Sequence, residues 1–139
     1  MSDRSFVDTN VLIHAHDLDA GAKRQVAARL LADLWEQRNG VLSTQVLQEF
    51  YLNVTRKIAA PLPAATAREI IGAYGAWVSA PITLETILLA TGIEERHRIS
   101  FWDALIVAAA TEAGATRILS EDFTHQRVIE GITTVNPFR

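Results

Sequence analysis

The 139-residue chain contains no cysteine, which excludes disulfides, thiolate zinc sites and a cysteine nucleophile together. That absence fits a reducing cytoplasm, the expected location. Long apolar runs are missing too. The longest, Ala104–Ala110, falls well short of the ~20 residues that cross a bilayer. The opening MSDRS begins with an acid and no apolar stretch, so no signal peptide is expected. An excess of positive charge is also lacking. The net charge is −3, without the basic footprint that many nucleic-acid binders carry. A role on nucleic acid would therefore need a local explanation for the acidity.

What remains is ordinary globular composition, 49% hydrophobic and 21% charged, of a length that suits one domain over residues 1–139. Phe6–Asp8 reads as the end of a short buried strand, with a helix beginning near Asn10. Ala22–Arg38 is predicted helical, with Val26, Leu30, Leu31 and Leu34 on one stripe and Gly40 as the stop. Val41–Ser43 is a second strand candidate. In Thr44–Lys57 apolar residues Val46, Leu47, Phe50, Val54 and Ile58 recur at helical spacing. After the break at Pro61 and Pro63, helices are expected at Ala64–Val78, Leu84–Arg96 and Phe101–Ala113. Pro81–Thr83, Arg117–Ser120 and Ile132–Val135 complete the strand candidates. Short strands alternating with helices imply an α/β layer around a mostly parallel sheet. Such sheets bind ligands outside the carboxyl ends of their strands.

Four acids stand against apolar neighbours rather than on solvated faces. Asp8 lies in FVDTNVLIH, at the junction of two hydrophobic segments. Glu49 lies in TQVLQEFYLNV, at the edge of a helical apolar stripe, with Asn53 and Arg56 on the same polar edge. Asp103 lies in ISFWDALIVAAA, and Asp122 follows the strand-like RILSE. Each has a plain alternative. Glu49 could be a solvated helix glutamate, Asp103 the third residue of a helix capped by Ser100, and Asp122 a turn acid. Glu121 and Asp122 are neighbours, and one of them should point away. Two acids leaving strand ends and two on helices packed nearby would form an oxygen-only donor set. Hard donors without His or Cys select Mg²⁺ or Mn²⁺, and a divalent ion would relieve the mutual repulsion of crowded carboxylates.

FVDTNVLIH, QEFYLNVTRK, SFWDALIVAAA and ILSEDF, in this order, resemble the PIN-domain ribonucleases, above all the toxins of type II VapBC toxin–antitoxin pairs. The resemblance runs from Phe6 to Phe138. It implies a PIN-like α/β/α sandwich with a central, mostly parallel sheet flanked by helices, and a homodimer. It implies that Asp8, Glu49, Asp103 and Asp122 are the catalytic quartet holding Mg²⁺ or Mn²⁺, supported by Thr9, Asn10 and Ser120. It implies an RNA substrate, a cognate antitoxin as partner and no membrane. Arg56 and Lys57 are candidate RNA contacts, as are Lys23, Arg24, Arg96, His97 and Arg98, although each could be a solvated charge. A non-cleaving adaptor and a housekeeping RNA-processing nuclease are the alternatives.

Other residues fit competing readings poorly. His14 and His16, two apart on a helix, point in different directions and cannot chelate one zinc together. Trp35, Trp77 and Trp102 suit core or interface better than base stacking. A dehalogenase-type phosphatase would want a second acid where Asn10 stands. It would also want a later lysine, as would a response-regulator receiver, yet Lys57 is the last lysine.

Overall fold

A computed structural model describes residues 3–79 and 81–139. The first strand, β1 (Arg4–Val7), buries Phe6 and Val7 completely. Helix α1 (Thr9–His16) follows at once, with Asp8 as its N-cap. Helix α2 (Ala22–Gln37) ends where Arg38 turns left-handed, at φ 56°. Strand β2 (Gly40–Val41) leads into α3 (Thr44–Arg56), whose face of Val46, Leu47, Phe50 and Val54 enters the core. Helices α4 (Ala64–Tyr74), α5 (Leu84–His97) and α6 (Phe101–Glu112) follow, and α6 is buried over most of its circumference. Strands β3 (Ala115–Leu119), β4 (Val128–Ile129) and β5 (Ile132–Val135) complete the chain.

The strands form one sheet in the order β2-β1-β3-β5-β4. All neighbours are parallel except the edge pair β4–β5. The architecture is the expected α/β one, a central and mostly parallel sheet flanked by helices. Phe6, Val7, Leu12, Phe50 and Ile118 are fully buried around this sheet. Burial of a large apolar side chain contributes roughly 1.5–3 kcal/mol each. From β1 the chain moves through α1 and α2 to β2 on one side, then crosses to β3 on the other. The carboxyl ends of β1 and β3 therefore flank the point where the winding reverses, the usual place for a ligand crevice in an open α/β sheet.

Several local expectations are corrected. On α2, Val26 is 41% exposed, and Ala27, Leu31 and Leu34 make the buried stripe instead. The helix that opens at Ala64 ends at Tyr74 and tightens into a single 3₁₀ turn, Gly75–Trp77. Pro81–Thr83 is no strand; Thr83 is the N-cap of α5 and shares a capping box with Thr86. The edge strand β4 escaped notice because two residues are too few to show alternation. Its hairpin turns through Glu130 and Gly131, both at positive φ (52° and 78°), as a two-residue hairpin of the favoured hand requires. Glu130 is steadied there by Arg96 at 2.9 Å and His97 at 2.8 Å. Among the described residues no helix is long and apolar enough to cross a membrane.

Candidate active site

Asp8 stands where β1 stops and α1 starts. Its backbone is extended (φ −76°, ψ 161°), and its Oδ1 accepts a hydrogen bond from the Thr9 amide at 2.7 Å. The bond goes to the first amide of α1 rather than to the second or third as in the usual cap, and it places the carboxylate at the positive end of the helix. Asp8 is also only 4% exposed. Burial pushes its carboxyl up to about 7; bonds from Ser120 and Thr9 oppose the rise, and the charges of Asp122 and Glu49 add to it. A carboxyl so placed is poised between neutral and charged at physiological pH.

Ser120, at the carboxyl end of β3, is fully buried and links two of the acids. Its hydroxyl donates to Asp8 Oδ2 at 2.7 Å and accepts from the Asp122 amide at 3.0 Å. Asn10 works beside it. Its Nδ2 donates to Asp122 Oδ2 at 3.0 Å and to Ser120 Oγ at 3.1 Å, and its Oδ1 accepts from the Glu121 amide at 3.2 Å. Thr9 reaches across to α3, its hydroxyl donating to Glu49 Oε1 at 2.6 Å. Glu49 is half-buried, because the face of α3 beside it packs into the core.

Asp103 enters from α6. Ser100 caps that helix and accepts the Asp103 amide at 3.1 Å, so the capping alternative and the site position hold together. Burial raises the Asp103 carboxyl above its usual range, the Ser100 bond opposes this, and Asp122 and Glu49 push it further up. Asp103 thus feels the other acids electrostatically. Asp122 is the exposed member, while Glu121 turns away from it, as neighbours on an extended segment should.

The structure brings Asp8, Glu49, Asp103 and Asp122 to one end of the sheet, with Thr9, Asn10 and Ser120 interleaved as donors. Of the four, Glu49 and Asp122 line the cleft, and among the described residues no three His, Asp or Glu side chains converge tightly enough to hold an ion as they stand. The cleft itself measures about 390 Å³ and is lined by Thr9, Asn10, Ile13, Glu49, Leu52, Asn53, Lys57 and Asp122.

Of the basic candidates, Lys57 lines this cleft, whereas Arg56 lines an adjoining apolar groove with Leu47, Tyr51 and Ile71. Arg96 and His97 are engaged with Glu130, and Lys23 with Glu121. The histidines of α1 separate as expected: His14 bonds Glu121, and His16 packs edge-on against Phe50 and Tyr74. Trp77 is buried and Trp35 packs against it with ring centroids 4.6 Å apart and planes tilted by 42°, but Trp102 is 62% exposed beside Asp103. Sequence reasoning missed the contacts of Glu121 with His14 and Lys23, whose partners lie about a hundred positions apart and leave no local pattern.

No curated protein sequence matches the chain. In fold it is similar to a chain of a toxin–antitoxin complex from Klebsiella pneumoniae, with TM-score 0.67, 18% identity and coverage of 96% of this chain and 97% of that one. It is also similar to VapC20 of Mycobacterium tuberculosis, described as a Sarcin-Ricin loop cleaving toxin, with TM-score 0.62, 22% identity and coverage of 82% and 86%. A third likeness is to VapBC2 from Rickettsia felis, solved bound to a DNA fragment from its promoter, with TM-score 0.61, 13% identity and coverage of 94% and 96%. The PIN domain matches residues 5–130, which takes in all four acids, the donors between them and every strand of the sheet but the last. The chain belongs to the PIN domain family.

Proposed function

We propose that this chain is a Mg²⁺- or Mn²⁺-dependent endoribonuclease that hydrolyses RNA phosphodiester bonds, and the toxin of a toxin–antitoxin pair. One observation carries the reading: Asp8, Glu49, Asp103 and Asp122 lie within electrostatic reach of one another at the reversal point of the sheet, where Asp8 is so desolvated that its carboxyl rises to about 7. A stable fold keeps a carboxylate there at a cost that a bound cation removes. The donor set is oxygen only, which suits a hard ion. Asp8, Glu49, Asp103 and Asp122 would hold it. When bound, it supplies Lewis-acid polarisation of the scissile phosphate and acidifies the attacking water.

The chain's own residues supply the rest. Ser120 and Asn10 orient Asp8 and Asp122, and Thr9 orients Glu49, through the bonds described above. Lys57, on the wall of the cleft, offers a positive charge to a flanking phosphate of a strand approaching an acidic protein. The toxin assignment draws on likeness to a chain from a toxin–antitoxin complex and to a toxin that cleaves the Sarcin-Ricin loop. A cognate antitoxin would be the partner. Exposed Leu84, Ile87 and Leu88 on one side of α5, with exposed Trp102, support a homodimer. An intracellular setting accords with the cysteine-free composition.

The test is cleavage of total cellular RNA by purified, partner-free protein in Mg²⁺, Mn²⁺ or EDTA, beside Asp103→Asn. Removing a residue that merely supports a metal ligand costs about 10–100-fold, so loss of a ligand should cost on the order of 100-fold or more. Cutting that needs the cation and vanishes in Asp103→Asn is the expected result. Folded protein that neither binds Mn²⁺ nor cuts RNA would turn the assignment to an adaptor.

A further inference from the structure

The loop that delivers Asp122 carries a second carboxylate that leaves the site and is gripped from outside it. His14 on α1 bonds one oxygen of Glu121 through Nε2 at 2.6 Å, and Lys23 on α2 donates to the other at 2.7 Å. A carboxylate only accepts, so Nε2 of His14 carries the proton. Phe138 covers both donors: its ring meets His14 edge-on at 5.1 Å, and Lys23 Nζ lies 5.5 Å from its centroid. One turn earlier on α1, Asn10 holds the Glu121 amide and the Asp122 carboxylate.

We propose that Glu121, anchored by His14 and Lys23 under Phe138, is a positioning residue that sets the cation affinity of the site by fixing the turn from which Asp122 projects. This inference deepens the nuclease reading and rests on it. Asp122 is the one exposed acid of the four, and among the described residues its carboxylate has a single hydrogen bond, of 3.0 Å, from Asn10. Its direction therefore depends on its backbone. Residues 120–122 are fixed inward by Ser120 and outward by Glu121, whose bonds run to two different helices. Charge-assisted bonds of this length are strong and directional. The two arms differ in weight. The His14 side chain is 19% exposed and the Lys23 side chain 47%, so solvent screens the Lys23 arm more.

The experiment is Mn²⁺ titration of the purified, RNA-free protein followed by electron paramagnetic resonance, with thermal unfolding of each cation-free variant alongside. Partners that orient metal ligands are worth about 10–100-fold in affinity. Glu121→Ala and His14→Ala should bind Mn²⁺ about 10-fold more weakly while still unfolding cooperatively. Lys23→Met should lose only about 2–3-fold, and Lys23→Arg should restore wild-type binding, because the exposed arm contributes less. Wild-type affinity in Glu121→Ala overturns the inference and leaves the nuclease reading intact. So does a loss of affinity that comes with loss of cooperative unfolding, since the role is then structural. A wild-type protein that binds no Mn²⁺ removes the nuclease reading and this inference with it.

Discussion

Replacing Asp8 with asparagine keeps the shape of the side chain and removes its charge, so the variant should lose the cation and gain stability. The rise of the Asp8 carboxyl from 3.8 to about 7 is a difference of about 4 kcal/mol between its protonation states, at ~1.4 kcal/mol per pH unit. The group binds its proton more tightly folded than unfolded. Stability therefore falls as pH rises from about 4, where the unfolded chain ionises, to about 7, where the folded one does, and stays low above that. Between pH 5.5 and 8 the wild-type protein should lose about 2 kcal/mol through this group. His16, whose ring burial holds below its usual range, works in the opposite direction near pH 6 but is present in both proteins and cancels in their difference. The introduced amide would meet a Ser120 hydroxyl that already accepts two bonds, a mismatch of about 1 kcal/mol. The assay is urea unfolding in EDTA at pH 5.5 and 8, repeated with Mn²⁺. Asp8→Asn should be more stable than wild type at both pH values, by about 3 kcal/mol at pH 8 and about 1 kcal/mol at pH 5.5. Mn²⁺ at a hundred times its Kd should raise wild-type stability by about 2.7 kcal/mol and leave the variant unchanged. A wild-type minus variant difference that does not move between the two pH values would refute the burial argument.

Two further outcomes follow from the geometry. Lys57→Ala should raise KM for RNA several-fold and flatten the salt dependence of binding, with Mn²⁺ affinity unchanged, as expected for a phosphate contact on the cleft wall; equal KM in both proteins would remove Lys57 from the substrate path. Gly40→Ala would drive a Cβ to 2.8–2.9 Å from the ring of buried Trp77, so calorimetry should show a destabilisation of about 1–3 kcal/mol, and an unchanged unfolding midpoint would contradict the packing described.

Asp8 was legible because an acid between Phe6-Val7 and Val11-Leu12-Ile13 breaks the apolar pattern, and the structure gives the physical cause in one residue that ends a strand and caps a helix. Glu49 was legible as the edge of a regular stripe. The α2 face was misread because Val26 and Ala27 are adjacent, and volume suggested the larger residue for the core when helix packing took the smaller one. Strand β4 and the 3₁₀ turn after Tyr74 are too short to leave a period. The Glu121 anchor was invisible because its partners on α1 and α2 are set by tertiary docking, which no spacing encodes. Whether four acids form one cluster is likewise a question of how elements dock. The resemblance named both the acids and their supports Thr9, Asn10 and Ser120; the fold added which donor bonds which acid.

The position of β1 between β2 and β3 has a consequence for synthesis. Its neighbour β3, the Ser120 that bonds Asp8 from 112 positions away, and Asp122 leave the ribosome after the other parts of the acidic cluster. Closing so long a loop is entropically slow and unrewarded until β1 and β3 pair. A nascent chain thus carries three of its acids without the scaffold that assembles them. On the nuclease reading, the ribosome and message that make the chain are spared until β3 has emerged and paired with β1.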